Sequence, residues 1–265
     1  MLNIIRRQLQ RGGVFLAAVA LVLSAFEMVL CAVVGSVDTA TAFSQISQFA
    51  PPALRAMMEQ NLAGGSPAAI LAFGWNHPVA HALLAAVAIT LAARAIAGEV
   101  ENGAIELVMA QPVSRAGYFA AHLLFGIAAL ATMLLAGLAG TALGQWTWGL
   151  EAFGFARLAA LFANALLLQL AIYGITLLFS AFGREAGRVA LAGVLVAVIS
   201  FLVNVVATLW SRAAFAKPWS LHSWFEPRDI LIRGDLAASS VLVLAVVASV
   251  AIGLAFARFV RRDLP

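Results

Sequence analysis

Val189-Ala-Leu-Ala-Gly-Val-Leu-Val-Ala-Val-Ile-Ser-Phe-Leu-Val-Asn-Val-Val-Ala-Thr-Leu-Trp210 contains no charged residue and one amide side chain, Asn204. A helix rises about 1.5 Å per residue, so a run of about 20 apolar residues matches the hydrocarbon thickness of a bilayer. The run shows none of the alternation that a membrane-spanning barrel strand requires. Outward from it, five more stretches read the same way. The six expected spans are Val14–Val34, Pro78–Ala97, Gly117–Leu143, Leu158–Ala181, Val189–Trp210 and Ala237–Val260. Over the whole chain of 265 residues, 63% are hydrophobic and 11% charged. A soluble domain of this size needs more polar surface, and a disordered chain needs less apolar content. The expectation is one all-α integral membrane domain over residues 1–265. The first run is long, carries Glu27 and lacks a small-residue cleavage site, so it reads as a retained span.

With the N-terminus inside, Arg6, Arg7, Arg11, Arg94, Arg115, Arg184, Arg188, Arg258, Arg261 and Arg262 fall on the inner side. Six basic residues fall outside: Arg55, Arg157, Arg212, Lys217, Arg228 and Arg233. The positive-inside rule prefers this orientation, with both termini cytoplasmic. All six tryptophans then sit at outer span ends or in outer loops, an interfacial belt. Two outer segments are long. Gly35–His77 contains a surface helix, Pro52 to Leu62, with Leu54, Met57, Met58 and Leu62 at helical spacing. Ser211–Leu236 contains a short helix stopped by Gly234, with Asp235 capping the last span. The mixed basic and apolar segment Leu2–Arg11 reads either as a helix along the inner membrane surface, turning in at Gly12-Gly13, or as a bare topogenic charge cluster.

Between the second and third spans lies Ala97-Gly-Glu-Val-Glu-Asn-Gly-Ala-Ile-Glu-Leu-Val-Met-Ala-Gln-Pro-Val-Ser-Arg-Ala-Gly-Tyr118. Breaks are expected at Gly98 and Gly103, then a short helix with acids near its start and an apolar surface of Ile105, Leu107, Val108 and Met109. Pro112 stops it, and Ser114 can cap the third span. Such a helix suits docking into a partner's groove, or rests on the bilayer.

Glu99-x-x-x-Gly103, Ile105-Glu-Leu and Pro112-Val-Ser-Arg115 resemble the signature segment of ABC type-2 transporter permeases. The ending Phe259-Val-Arg-Arg-Asp-Leu264, the six-span layout, the long first outer loop and His77-Pro78 before the second span resemble that family too. Met109 and Ala110 stand where the family commonly has bulkier leucines. The resemblance implies the membrane-spanning permease subunit of a bacterial ABC exporter in the inner membrane. Glu101–Gln111 would be a coupling helix in a cleft of a separate ATP-binding subunit, present in two copies. Glu99, Glu101, Gly103, Ile105, Glu106, Leu107, Met109, Pro112 and Arg115 would form that contact, and Gly183–Arg188 a second one. ATP and magnesium would belong to the partner. A second permease chain would complete the substrate path, a homodimer ahead of a heterodimer. Lipid is the other expected partner, and nucleic acid is not one.

The chain itself carries no Walker A loop. That loop needs a lysine on the phosphates, and the single lysine, Lys217, precedes Pro218 in an outer segment. No catalytic motif is recognisable, so no enzymatic activity, cofactor or metal is expected in this chain. His77-x-x-x-His81 has metal-ligand spacing but no third donor nearby in sequence, and reads as interfacial. His122 and His222 read likewise. Cys31 reads as a small apolar residue. Gly140-x-x-x-Gly144 has the spacing of a close helix contact, a common pattern in Ala/Gly-rich spans.

Glu27 is the one acid deep in a span, and an intramembrane ionisable residue points to function. Helical rise places Thr132, Gln169 and Asn204 at similar depths. The four form either a polar band along a substrate path or a hydrogen-bonded packing layer. A self-sufficient secondary transporter or channel using Glu27 is the alternative to the permease.

Overall fold

A computed structural model of the chain describes residues 2–109 and 114–262. Among these residues there are helices and no strands. In chain order they are α1 (Leu2–Ser36), α2 (Thr39–Phe49), α3 (Pro52–Leu62), α4 (Pro67–Trp75) and α5 (Pro78–Ala93). A wide π-turn, Arg94–Gly98, joins α5 to α6 (Glu99–Glu101). Then follow α7 (Ala104–Met109), α8 (Arg115–Thr147), α9 (Phe155–Phe182), α10 (Ala186–Leu209) and α11 (Ala238–Val260). Six helical segments are long and apolar enough to cross a membrane, at the six places the hydropathy indicates.

Their ends differ from the sequence expectation in three places. First, α1 does not turn at Gly12-Gly13 but runs unbroken from Leu2. A glycine in a helix interior costs about 1 kcal/mol. Tertiary ties on both sides, including ion pairs from Arg7 and Arg11, hold the helix through that point. Second, the crossing that contains α5 begins earlier, at Pro67. The end of the first outer segment therefore folds into the bundle as α4, where Ala69, Leu71, Ala72, Gly74 and Trp75 are buried. Ser66 caps α4 by accepting from Ala69 N at 3.2 Å. A residue before proline is pushed out of the helical region. His77, at ψ 142°, accordingly breaks the run, and its Nδ1 accepts from Val79 N at 3.2 Å to start α5. Third, Gly98 does not break the chain after α5. The break comes at Gly103, whose φ of 65° suits a residue without a Cβ.

Three expected details hold. The surface helix is α3, with the expected bounds. Gly234, at φ 75°, stops the short helical turn Asp229–Arg233. Ser114 caps α8, accepting from Gly117 N at 3.0 Å. Asp235 does not cap α11, because Ala237 occupies that position without a side-chain bond.

In lipid the tails are as apolar as leucine, so helices associate through close packing rather than hydrophobic burial. The most extensive pairs are α1 with α8 and α9 with α11, while α5 packs on α9. On α8, Gly144 and Gly137 face α1 and α4. A Cβ on Gly144 would lie 2.6 Å from the Cys31 Cβ, and one on Gly137 would lie 2.8 Å from the Trp75 ring. Gly140, between them, lies against the Ser24 backbone, where a Cβ would meet the Ser24 Cα at 2.8 Å. The Gly140-x-x-x-Gly144 spacing is thus the α1–α8 crossing itself. Leucine and valine side chains of α10 and α11 point outward, among them Leu191, Leu195, Leu202, Leu242, Val250 and Leu254.

Contacts between loops define two faces. The terminal face carries the start of α1, the α5–α8 connection, the α9–α10 turn and the end of α11. The far face carries α2, α3 and two short 3-10 stretches, Ser211–Trp219 and Leu221–Trp224.

Candidate functional site

On the terminal face, two of the three acids of the α5–α8 connection, Glu99 and Glu101, bond to other elements of the chain. Both oxygens of Glu99, which is buried, are used. Arg7 Nη2 donates to Oε2 at 2.7 Å and Arg11 Nη1 to Oε1 at 2.9 Å. Glu101 Oε2 accepts from Ala186 N at 2.8 Å, an acid at the N-terminus of α10 where the helix dipole favours it. Asn102 Nδ2 donates to Gly98 O at 2.7 Å and closes the turn. Ile105 is fully buried. Of the described side chains of α7, Glu106 is the exposed one. So Glu99, Glu101 and Ile105, expected on a partner-facing surface, fasten the connection to its own chain. Leu107 and Met109 belong to α7, but their side chains, and Pro112 altogether, lie outside the described residues.

The same face holds a second network. The Ser180 hydroxyl of α9 fits into the π-turn. It accepts from Ala97 N at 2.9 Å and Ile96 N at 3.3 Å, and donates to Ala93 O at 3.1 Å. A wide turn leaves backbone groups without their regular helical partners, and this hydroxyl supplies them. Tyr118 Oη donates to Ala95 O at 2.7 Å in the same turn. Arg262 is buried and donates to Ala181 O at 3.0 Å at the end of α9. Arg115 Nη1 donates to Val260 O at 2.9 Å and Arg262 O at 2.5 Å, satisfying carbonyls at the end of α11. Arginines near helix C-termini also complement the dipole. A cleft of about 620 Å³ between α1, the π-turn and the start of α10 is bordered by Arg11, Arg94, Glu99 and Glu101.

The four polar span residues are not brought together. Glu27 is buried where α1 meets α4 and α8. Its Oε2 accepts from the Thr141 hydroxyl at 3.3 Å, while Oε1 has no partner. Thr132 is exposed and its hydroxyl bonds its own helix at Ala128 O, 2.8 Å away. Gln169 is buried in α9 with its Oε1 unpaired. Asn204 borders clefts that open toward the far face. Helical rise gives depth but not direction around the axis, which is why residues of similar depth point to different surroundings.

His81 and His222 do not stand alone at an interface. Their rings meet edge to face with centroids 4.7 Å apart, packed against Phe201 and Phe225. His81 Nε2 pairs with Asn76 Oδ1 at 3.2 Å, and His222 Nδ1 with Ser200 Oγ at 2.8 Å. Burial pushes the His222 imidazole down to about 4, so it is neutral near pH 7. Among the described residues no cluster of three metal-ligating side chains occurs. Asn164 fixes the far-face segment to α9. Its Nδ2 donates to Trp224 O at 3.0 Å and its Oδ1 accepts from Glu226 N at 3.3 Å.

Arg7, Arg11, Ser180 and Asn164 were not legible as linchpins. The arginines read as topology signals, and single polar residues in apolar spans carry no partner information.

Residues 7–264 match the model of one protein family, described as ABC-2 family transporter protein. No curated protein matches the chain.

Proposed function

The chain belongs to the ABC-2 transporter family, the membrane component of ABC transporters rather than their ATPase, and from that premise we propose that it is an exporter permease driven through α7. A separate ATP-binding subunit, carrying ATP and magnesium, engages the terminal face, which is cytoplasmic. The ten-to-six split of basic residues supports that orientation. Two such subunits and a second copy of this permease make up the complex, in the bacterial inner membrane.

The observation that carries the reading is the way α7 is mounted. Buried Ile105 seats the helix in the bundle while Glu106 faces out. Immediately before it, Glu99 is tied to α1 and Glu101 to α10. After it, Arg115 at the start of α8 is tied to the end of α11. A push on α7 therefore reaches α1, α10 and α11 through short, charge-assisted bonds, which are stiffer than a loop resting on lipid. Movement of the partner on ATP binding would shift these spans relative to one another and expose the path to alternate sides.

Purification of the tagged full chain from its native membrane in mild detergent tests this. The expected result is co-purification of a Walker-A-bearing subunit with ATPase activity, reduced at least tenfold by Glu106→Arg without change in the permease's elution profile. A chain that purifies alone and moves substrate under an ion gradient overturns the reading.

A further inference from the structure

Between α5 and α10 lies an apolar groove of about 410 Å³, walled by Ala82, Ala85, Ile89, Val194, Ala197 and Val198 and open on the side where Ala82, Val194 and Val198 are exposed. That volume lies in the range of small-ligand sites, about 300–1,000 Å³. Its outer end is formed by Phe201 and the His81–His222 pair. His222 also borders a smaller, polar chamber of about 130 Å³ on the far face. A third cleft, of about 250 Å³, shares Phe201 with the apolar groove and Asn76, Asn204 and Thr208 with the polar chamber. The three thus run from an apolar groove between the two helices to a charged mouth.

The charges at that mouth are not balanced in use. Asp229 is paired with Arg233 at 3.1 Å, and Glu226 Oε2 accepts from the Ser240 hydroxyl at 3.3 Å. The two cations of the chamber, Lys217 and Arg228, have no carboxylate partner among the described residues. Arg228 Nε is buried without any hydrogen-bond partner. A buried guanidinium nitrogen left unpaired is costly, and an anion is the partner its chemistry asks for.

The geometry points to a binding site for a single-chain amphiphile with an anionic head: its apolar chain lies between α5 and α10 and its head meets Arg228 and Lys217. The histidine pair and Asn204 mark the junction between chain and head. The apolar site is lined mainly by alanine, valine and isoleucine, with no charged side chain along it, so it takes the apolar part of such a molecule and not its head. This reading rests on the groove, the clefts and the unpaired cations, not on the mode of energy coupling.

The test is equilibrium binding to the full chain in phosphatidylcholine nanodiscs, without nucleotide, with empty discs subtracted. The probes are dansylaminoundecanoic acid and its uncharged methyl ester. Energy transfer from the far-face tryptophans to the dansyl group reports binding. Saturable binding of the acid, about tenfold tighter than the ester, is expected. Ala85→Phe and, separately, Ala197→Leu fill the groove and should abolish binding of both probes. The double variant Lys217→Gln, Arg228→Gln should remove the preference for the acid while leaving the ester unchanged. Equal affinity of acid and ester for the native chain overturns the head-group assignment. Binding that survives both groove-filling variants, each eluting as the native chain does, overturns the site. Loss of the ATP-binding subunit would leave all these outcomes unchanged, so failure here and failure of the coupling proposal are separable.

Discussion

Removing one oxygen atom, by Ser180→Ala, tests whether the π-turn above α7 is held by a side chain. The native hydroxyl accepts from Ala97 N and Ile96 N and donates to Ala93 O, all within a fully buried site. Alanine removes the acceptor and leaves amide groups buried without it. An unsatisfied buried donor costs about 1–3 kcal/mol. If the turn opens locally, that cost appears as amide exchange about five- to 150-fold faster, since about 1.4 kcal/mol is tenfold in an equilibrium constant. Hydrogen exchange with mass spectrometry, on the full chain in nanodiscs, reads this in peptides covering residues 94–98. Thr208→Val serves as the comparison. That hydroxyl bonds only its own helix, at Asn204 O 2.8 Å away, so its loss should change exchange around residue 208 little. Exchange of Ile96 and Ala97 within twofold of the native rate in Ser180→Ala would refute the assignment of the hydroxyl as their partner.

Three further outcomes follow from the same structure. Gly144→Leu should drive α1 from α8, since even a Cβ there lies 2.6 Å from the Cys31 Cβ; the variant should lose its monodisperse elution peak, whereas Gly253→Leu, with nothing within 4 Å of its Cβ, should keep it. Glu99→Gln should weaken the anchorage of the first turns of α1 by about 1–2 kcal/mol, a value reduced from that of a buried pair because Arg7 and Arg11 are 33% and 55% exposed; limited proteolysis near residues 6–11 should quicken severalfold. The His222 imidazole sits near 4 when folded against an ordinary 6.5, so the unfolded chain binds the proton more tightly and stability is lost as pH falls from about 6.5 to 4. The loss reaches about 2–3 kcal/mol by pH 4.5, and thermal unfolding of His222→Asn should show a shallower decline over that window.

Hydropathy made the six crossings legible because a bilayer imposes length and apolarity on each crossing separately, with no reference to the others. Local stereochemistry was equally legible: Ser114 caps α8, Gly103 and Gly234 take positive φ, and Pro78 starts a helix after a break. What escaped was everything set by contacts between distant elements. Glu99 reads as an outward acid in its own loop, yet the arginines that claim it stand 92 and 88 residues away. Pro67–Trp75 is too short to span alone, so hydropathy leaves it in a loop. The structure buries it because its own Gly74 lets it close on Leu30 and Glu27 of α1, and Gly137 of α8 leaves room for the Trp75 ring.

That division bears on how a permease of this kind transmits force. A coupling element needs one surface for its partner and another that cannot slip against its own spans. In the α5–α8 connection the acids nearest α5 serve the second need, and Ile105 adds an apolar anchor. Under the proposed function, the exposed Glu106 is left for the first. On the proposed coupling role, Glu99 and Ile105 of the signature segment act as a rivet to the bundle rather than as a docking patch. Substitutions at Glu99 or Glu101 should accordingly lower transport per ATP hydrolysed before they weaken assembly with the ATP-binding subunit, while Glu106→Arg should do the reverse. Reconstituted complexes assayed for both transport and ATPase rate distinguish the two patterns. An assembly defect in Glu99→Gln with transport per ATP unchanged would mean that the acid faces the partner after all.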